Sequence, residues 1–290
     1  MAITSKTVLI TGCSENGIGA ALATEYQKRG YHVFASARNT KKIPSSLASA
    51  SNVTLLPLDV TSEESIKNAA SAVSKATGGK LDILINNSGA AFSGPALDTD
   101  LSIARNLLEV NVVGVLAVCQ GFQHLLASTK GATLVNNSSI NGDCNMPFSG
   151  VYGATKAATT ILSESMRLEL TPLDIRTVTL ITGIIESNLH VNEVEHHLPA
   201  NSYYKVTEDW LNERKKGTNR PPGMAAADYA KQFVDKVERG ASGKTNIGHI
   251  TPMFVYVKWW LPQFLWDFVM YKAGPPNLME VAGAVKNKSQ

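Results

Sequence analysis

Short apolar runs alternate with longer stretches of helical periodicity through most of the chain. The apolar runs predict strands at 7–11, 32–36, 53–58, 81–85, 133–137, 175–181 and 246–250. The longer stretches predict helices at about 18–29, 62–76, 101–127 and 153–171. The strand runs are continuously apolar, which is typical of parallel strands covered by helices on both faces. The pattern therefore predicts an α/β fold, a doubly wound parallel sheet of seven strands.

The size of the chain and its hydrophobic content bound the domain organisation. With 290 residues and 44% hydrophobic content, we expect one catalytic domain over 1–290. Thr61 and Glu64 have the spacing of a capping box and predict the start of the second helix. Residues 184–222 lose the periodicity, and we expect them to form a lid over a substrate site. Three histidines of this lid lack metal-ligand spacing and predict no metal site: His190, His196 and His197.

Charge and cysteine usage exclude several classes of protein. The net charge is +3, and the basic residues cluster only at 214–216, which argues against a nucleic-acid partner. Cys13, Cys119 and Cys144 are odd in number and form no C-x-x-C motif. They indicate a reducing compartment and thus a cytoplasmic protein. One lysine precedes the first predicted strand, which argues against a secretory signal.

The stretch VLITGCSENGIGAALA at 8–23 joins a predicted strand to a predicted helix through three glycines. The first N–H groups of a helix are unpaired and lie at the positive end of its dipole, so this turn predicts a phosphate cradle. Gly12, Gly17 and Gly19 do not have the G-x-G-x-x-G spacing. By itself the turn is weak evidence, and the alternative is a tight connection from strand to helix.

Taken with later motifs, this turn resembles that of the short-chain dehydrogenase/reductase family. TGCSENGIG matches the family's T-G-x-x-x-G-x-G with one extra residue, and NNSG at 86–89 resembles its N-N-A-G. LDV at 58–60 resembles the segment with the adenine-contacting Asp, and Asn111 stands where the family has a helix asparagine. The ordered set covers residues 7 to about 187. It implies a Rossmann domain that binds a nicotinamide cofactor.

The resemblance also implies the residues that contact this cofactor. Because of the inserted residue, Ser14, Glu15 and Asn16 are alternatives for the side chain that faces the cofactor. Ser14 and Asn16 are assigned as cofactor contacts. After the sixth predicted strand, ITGIIES has Thr182 in place of the family's proline, keeps Gly183, and offers Ser187 as a hydroxyl over the nicotinamide. The implied cofactor-binding residues are Gly12, Ser14, Asn16, Gly17, Ile18, Gly19, Arg38, Asp59, Val60, Asn87, Gly89, Tyr152, Lys156, Gly183 and Ile185.

The end of the second predicted strand bears on the choice between NAD(H) and NADP(H). NAD-specific proteins usually have an acidic residue here for the ribose hydroxyls, whereas this chain has Ala37 and Arg38. An arginine offers a rigid fork of donors suited to a 2′-phosphate. The alternative is a surface arginine that merely follows a strand. Lys41 and Lys42 add positive charge nearby, so the sequence predicts NADP(H).

Candidate chemistry lies between residues 136 and 158. Tyr152 and Lys156 are four residues apart on a predicted helix, so their side chains share one face. A phenol has a reference pKa of about 10, and a nearby ammonium favours the phenolate, so Tyr152 can exchange a proton with a substrate oxygen. Ser139 lies thirteen residues upstream; Ser138 is its rival, and the spacing favours Ser139. The resemblance implies that Ser139, Tyr152 and Lys156 are catalytic and that Asn111 holds a water in proton relay.

The aromatic-rich segment at 253–274 contains three of the four tryptophans. Lys258, Pro262 and Asp267 interrupt it, and a membrane span needs about 20 predominantly apolar residues. Three interpretations remain open: contact with a membrane interface, a roof over an apolar substrate pocket, or an oligomer contact. The residues predicted to form its apolar face are Trp259, Trp260, Phe264, Leu265 and Phe268.

Thr182 and the aromatic-rich segment together resemble a fungal and yeast branch of the family near the 1-acyldihydroxyacetone-phosphate reductases. The branch implies an NADPH-dependent reductase of a hydrophobic or lipid-like ketone, with an acyl-dihydroxyacetone phosphate as one candidate. One alternative is a reductase or dehydrogenase of fungal secondary metabolism acting on polyketide-type ketones. Another is a non-catalytic NADP(H)-sensing protein. We expect a homodimer or homotetramer in the cytoplasm, with peripheral contact to the endoplasmic reticulum or lipid droplets through 253–274.

Overall fold

The computed structural model describes residues 3–189, 197–249, 251, 254 and 257–281. Its strands are β1 Thr7–Ile10, β2 His32–Ala37, β3 Val53–Pro57, β4 Ile83–Asn86, β5 Thr133–Ser139, β6 Arg176–Thr182 and β7 Gly243–Ile247. They form one sheet in the order β3-β2-β1-β4-β5-β6-β7, and every neighbouring pair is parallel. The predicted seven-stranded parallel sheet is confirmed. His190, His196 and part of 253–274 lie outside the described residues.

Helices cover both faces of this sheet. They are α1 Ile18–Lys28, α2 Ser45–Ala48, α3 Glu63–Thr77, α4 Leu101–Leu108, α5 Gly114–Ala127, α6 Gly150–Leu170, α7 Glu208–Lys216, α8 Ala226–Glu238 and α9 Gln263–Ala273. Leu22 of α1 and Phe233 of α8 are buried in the apolar cluster on one face. Ile66 of α3 and Phe122 of α5 are buried in the cluster on the other. This two-sided burial is the reason that the strands read as continuously apolar.

Several elements differ from the sequence-based expectation. The predicted helix at 101–127 is divided by a π-helical turn at Glu109–Val113. Helix α8 was not predicted, and α7 lies within the stretch expected to be irregular. The capping-box prediction was wrong: α3 begins after Ser62, whose Oγ accepts a hydrogen bond of 3.2 Å from the Ser65 N–H. Thr61 instead donates its hydroxyl to Asp59 Oδ1 at 2.8 Å.

By length and apolar composition alone, one continuous helical stretch of the described residues, Leu101–Ala127, could cross a membrane. Val118 and Phe122 on its inner face are fully buried against the sheet. Its outer face exposes Leu101, Leu108 and Leu116. We therefore interpret the stretch as a core helix with an apolar outer surface.

Candidate active site

The glycine turn closes tightly between β1 and α1. Gly12 has a φ of +76°, a conformation that favours glycine. A Cβ at Gly19 would lie only 2.4 Å from the Gly12 carbonyl oxygen, so glycine alone allows this approach. Gly17 caps α1 without a side-chain hydrogen bond. The first N–H groups of α1 therefore face the carboxyl edge of the sheet, where they can bind phosphate oxygens.

The inserted residue of the turn is accommodated at its outer edge. Asn16 has a φ of +58°, in the left-handed region that asparagine tolerates better than most residues. Its carbonyl oxygen accepts a hydrogen bond of 3.2 Å from the Asn188 N–H, and the Ser14 carbonyl accepts one of 3.1 Å from the Gly17 N–H. The insertion thus connects the turn to the segment that follows β6.

A basic loop lies beside the turn. The Cys13 N–H donates to the Ser36 carbonyl, and the Glu15 N–H donates to the Lys42 carbonyl, both at 2.8 Å. Arg38 and Lys41 of this loop are exposed, and residues 37–43 contain no carboxylate. The loop after β2 therefore presents positive charge where an NAD-specific site usually presents an acidic residue.

The Asp59 carboxylate lies after β3, close to this basic loop. Its Oδ1 accepts the Thr61 N–H at 3.0 Å and the Thr61 hydroxyl at 2.8 Å. The Thr61 N–H lowers the pKa of Asp59 most, and the charge of Arg38 adds to the effect. Val60, the next residue, is buried against Gly114 at the start of α5.

Asn87 joins the end of β4 to the glycine turn. Its Nδ2 donates to the carbonyl oxygens of Thr11 at 2.9 Å and Gly12 at 3.3 Å. The Thr11 hydroxyl in turn accepts the N–H groups of Asn87 and Ser88, both at 2.9 Å. Gly89 follows, where a Cβ would lie 3.2 Å from Asn111 Oδ1. The side chain of Asn87 therefore positions the turn.

Ser139 and Tyr152 line one cavity of about 600 Å³ at the carboxyl edge of the sheet. Ser139 ends β5, and its Oγ accepts the Asn141 N–H at 3.2 Å. The rival Ser138 faces the core, where its Oγ donates to the Lys156 carbonyl at 2.9 Å and lies 2.6 Å from the Thr160 hydroxyl. Of the two serines, only Ser139 contributes to the cavity wall.

Lys156 lies behind Tyr152, one turn further along α6. Its Nζ donates to the Asn137 carbonyl oxygen at 2.9 Å and lies 5.9 Å from the centroid of the Tyr152 ring. Lys156 is buried, and burial lowers the pKa of its ammonium to about 8. The parallel strand order and the four-residue spacing on α6 thus bring all three predicted catalytic residues together.

The side chain of Asn111 holds neighbouring backbone in place. Its Oδ1 accepts the Ala90 N–H at 2.8 Å, and its Nδ2 donates to the Ala90 carbonyl at 2.9 Å and to Thr155 Oγ1 at 3.0 Å. The Asn111 carbonyl, in the π-helical turn, accepts the Thr159 hydroxyl at 2.8 Å. A carbonyl oxygen has two lone pairs, so this backbone oxygen can accept one further hydrogen bond, and the water-holding role of Asn111 stays a prediction.

The rest of the cavity wall comes largely from the segment after β6 and from the C-terminal part of the chain. Gly183 and Ile185 line it together with Ser187. No sequence motif indicated several other lining residues, which come from separate loops and helices: Phe92, Met146, Trp210, Arg214 and Phe254. Shape alone brings them together, so a motif search could not have found them.

Helix α9 and the residues before it dock beside the cavity. Trp266 Nε1 donates to Asn145 Oδ1 at 2.7 Å, and the Lys258 ammonium donates to the Asp143 carbonyl. Ala273 and Gly274 line the cavity, so this segment roofs the pocket at its C-terminal end. The five residues predicted to form its apolar face are all exposed: Trp259, Trp260, Phe264, Leu265 and Phe268.

A family model described as short chain dehydrogenase matches residues 6–197. The chain belongs to the short-chain dehydrogenases. The match covers the glycine turn, the Asn87 contact and the Ser139, Tyr152 and Lys156 positions. Among the described residues of this dehydrogenase, no group of three or more His, Cys, Asp or Glu side chains could hold a metal ion.

Two relatives and one solved structure are similar to this dehydrogenase over most of its length. It is 38% identical to "Short-chain dehydrogenase ptmH" of Penicillium ochrochloron, over 92% of this chain and 97% of the relative. It is 37% identical to "NADPH-dependent 1-acyldihydroxyacetone phosphate reductase" of Schizosaccharomyces pombe, over 69% of this chain and 68% of the relative. The solved structure "ElxO with NADP Bound" has a TM-score of 0.68 at 26% identity, over 84% of this chain and 97% of the solved one.

The buried ammonium of Lys156 predicts a pH dependence of stability. Because its pKa in the folded protein is about 8 against 10.5 unfolded, the unfolded chain binds more protons between these values, and stability rises with pH there. Below pH 8 Lys156 is charged in the folded protein, so the whole cost of burying its ammonium is present. Lys156→Met removes the charge, so its stability relative to wild type should be greatest near pH 7. That advantage should decrease by about 1–3 kcal/mol up to pH 10.5.

Urea unfolding of both proteins without cofactor, at half-unit steps from pH 7 to 10.5, measures this difference. The loss of the Asn137 hydrogen bond adds a constant that does not depend on pH. A difference that stays flat across the range would mean that Lys156 is not desolvated.

Proposed function

We propose that this dehydrogenase is an NADPH-dependent ketone reductase. One observation carries the proposal: Ser139 and Tyr152 face the same cavity, with the Lys156 ammonium 5.9 Å from the Tyr152 ring centroid. A hydroxyl that orients a carbonyl and a phenol that donates a proton are the groups such a reduction requires. The intact set disfavours the alternative of an NADP(H) sensor without turnover.

The residues around the glycine turn fit NADP(H). The close approach of Gly19 to Gly12 leaves the N-terminus of α1 open to the pyrophosphate. Arg38, with Lys41 and Lys42, offers charge to a 2′-phosphate, and the NADP-bound structural relative supports this choice. Asp59 and Val60 would border the adenine, and Ile18, Gly183 and Ile185 the nicotinamide end. When bound, the reduced nicotinamide supplies a hydride.

The chain's own residues supply the rest of the reaction. The Ser139 hydroxyl donates to the ketone oxygen and orients it, and Tyr152 gives that oxygen its proton, so carbonyl, hydride and proton balance as an alcohol. The Lys156 ammonium stabilises the phenolate left on Tyr152. The Asn111 carbonyl holds the water through which the proton is replaced.

The cavity suits a hydrophobic or lipid-like ketone. Ile140, Met146, Ile184, Leu189 and Phe254 give its wall an apolar character. A second recess of about 500 Å³ lies next to it, lined by Pro147, Phe148 and Tyr271 among others. The yeast relative makes an acyl-dihydroxyacetone phosphate one candidate substrate. Polyketide-type ketones of secondary metabolism are the alternative, and a screen of both classes by NADPH absorbance would decide between them.

We also propose a dimer or tetramer in the cytoplasm. The exposed apolar side chains Leu108, Leu116, Ile161 and Leu168 lie on α4, α5 and α6, where a second copy would cover them. The three cysteines are free, in keeping with a reducing compartment. We propose separately that the segment 184–222 forms a lid over the active site.

Tyr152→Phe should remove nearly all turnover and leave NADPH affinity close to that of wild type. The phenol acts on the substrate oxygen, whereas the cofactor is held through its phosphates and ribose. Acid–base groups usually contribute 10²–10⁴-fold, so retention of more than about a tenth of kcat would exclude Tyr152 from this role. Steady-state kinetics and NADPH fluorescence titration measure the two quantities.

The neighbouring serines provide a matched control. Ser139→Ala should lower kcat and lower the melting temperature only slightly, because Ser139 faces the cavity and its Oγ accepts a single hydrogen bond, from the Asn141 N–H. Ser138→Ala should lower the melting temperature, because it removes buried hydrogen bonds to Lys156 and Thr160. The reverse pattern would assign the substrate contact to Ser138.

Arg38→Ala should weaken NADPH binding by about ten- to a hundredfold and hardly change NADH binding. This is the loss expected for one charge-assisted hydrogen bond of roughly 1.5–3 kcal/mol. The exposed Arg239 at the end of α8 is the control, and Arg239→Ala should leave both affinities unchanged. An equal loss for the two cofactors on Arg38→Ala would mean that Arg38 does not bind the 2′-phosphate.

We propose that the outer face of the aromatic-rich segment contacts a lipid surface. Trp259 and Trp260 are 85% and 88% exposed, and Phe264 and Phe268 are 70% and 62% exposed. Tryptophan favours the membrane interface, and the inner side of the same segment roofs the cavity through Ala273 and Gly274. A lipid-like ketone could therefore enter the cavity from that surface, at membranes of the endoplasmic reticulum or at lipid droplets.

Flotation with phosphatidylcholine vesicles tests this contact. Wild type should float, and Trp259→Ser/Trp260→Ser should stay in the soluble fraction with an unchanged melting temperature, because burial of apolar area drives binding. Leu173→Ser, at an exposed apolar position after α6 and outside the proposed interface between copies, is the control and should float as wild type does. Wild type that remains soluble at every lipid concentration would contradict the membrane interpretation and favour an oligomer contact.

A further inference from the structure

A chain of side-chain hydrogen bonds runs from α8 to the glycine turn. The Tyr229 hydroxyl lies 2.7 Å from Thr182 Oγ1, and Thr182 Oγ1 lies 2.6 Å from Asn137 Oδ1. Asn137 Nδ2 lies 3.1 Å from Asn87 Oδ1. Asn87 Nδ2 then reaches the carbonyl oxygens of the turn. The four side chains come from the residue after β4, from β5, from the end of β6 and from α8.

The direction of every hydrogen bond in this series follows from the two backbone carbonyls at its end. The carbonyl oxygens of Thr11 and Gly12 can only accept, so Asn87 must present its NH₂ group to them and its oxygen to Asn137. Asn137 must therefore donate its NH₂ group to Asn87 and offer its own oxygen to Thr182. The Thr182 hydroxyl must donate to that oxygen, which leaves Tyr229 as the donor to Thr182. All donors point from α8 towards the glycine turn.

The chain also reaches the catalytic lysine. The backbone carbonyl of Asn137 accepts the Lys156 ammonium at 2.9 Å, so the residue that Thr182 holds by its side chain holds Lys156 by its backbone. Tyr229 is fully buried and Thr182 is 7% exposed. Thr182 lines the cavity, but the buried Tyr229 hydroxyl cannot readily replace a lost partner by water, and bonds in such a chain strengthen one another.

We propose that Thr182 is a positioning residue for both the glycine turn and Lys156. Its hydroxyl acts on Lys156 through Asn137, and on the turn through Asn137 and Asn87. Thr182 stands where the family pattern has a proline, which has no side-chain donor. At this position the hydroxyl is the one group that can satisfy the Asn137 oxygen and the Tyr229 hydroxyl together. Without it, Asn137 loses the contact that sets the orientation of its amide, and the turn loses part of its support.

Thr182→Val tests the proposal because it keeps the shape and removes the hydroxyl. Hydrogen exchange without cofactor should become faster in the peptide covering residues 11–19, and NADPH affinity should fall by about three- to tenfold, the loss of one neutral hydrogen bond. Thr182→Ser keeps the donor and should restore both values. If the valine variant does not fold, Thr182→Ala, which cannot clash, carries the same expectation.

Thr179→Val is the matched control on the same strand. Thr179 is fully buried, and its hydroxyl bonds to Ser163 and Glu164, away from the chain described above. Its loss should lower the melting temperature and leave exchange in residues 11–19 and NADPH affinity unchanged. Should Thr182→Val behave like Thr179→Val, or Thr182→Ser fail to restore the values, the positioning role is overturned.

The inference rests on the proposed cofactor site. NADPH affinity and hydrogen exchange together distinguish a failure of the proposed function from a failure of the role proposed for Thr182. Wild type that fails to bind NADPH would overturn the proposed function. Exchange measured without cofactor would still report whether Thr182 supports the glycine turn.

Discussion

The parallel direction of all seven strands places every strand's carboxyl end at the same edge, and the site depends on that arrangement. Short strands end there in polar side chains that must find partners, since buried polar groups without them are costly. Asn87 after β4, Asn137 within β5 and Thr182 at the end of β6 find those partners in one another. The glycine turn after β1 is then held by side chains of neighbouring strands as well as by its own backbone.

At Lys156, folding stability and the proposed chemistry make opposite demands. Burial disfavours its charge and lowers its pKa to about 8, and the single carbonyl of Asn137 offsets only part of that effect. The same burial keeps the ammonium against the Tyr152 ring, where its charge acts with little screening from water. The surrounding fold supplies the stability that this residue removes, through the apolar clusters on both faces of the sheet.

The two sides of the cavity have different origins. Ser139 and Tyr152 belong to regular elements, and the strand register and helix packing hold them in place. The opposite wall is built from the segment after β6 and from the aromatic-rich segment, whose Trp266 docks on Asn145 beside the active site. In the proposed function the sheet edge supplies the chemistry, and segments that contribute little to the core line the part of the cavity that would bind the substrate.

The continuous apolar runs, the glycine turn and the Tyr152–Lys156 spacing were readable because each is a local pattern with a fixed geometric consequence. The apolar side chains of α8 also have helical spacing, so this helix was predictable from the sequence. Local pattern could not reveal the partnership of Tyr229 with Thr182 across 47 residues. Neither could it distinguish the exposed face of 253–274 from the face that roofs the cavity. Those features depend on which surfaces meet after the sheet has formed. Sequence by itself determined the fold, the family and the catalytic candidates, because strand and helix periods and short motifs are local; only the tertiary structure decided how buried polar groups pair and what lines the cavity, because those contacts join residues far apart in the chain.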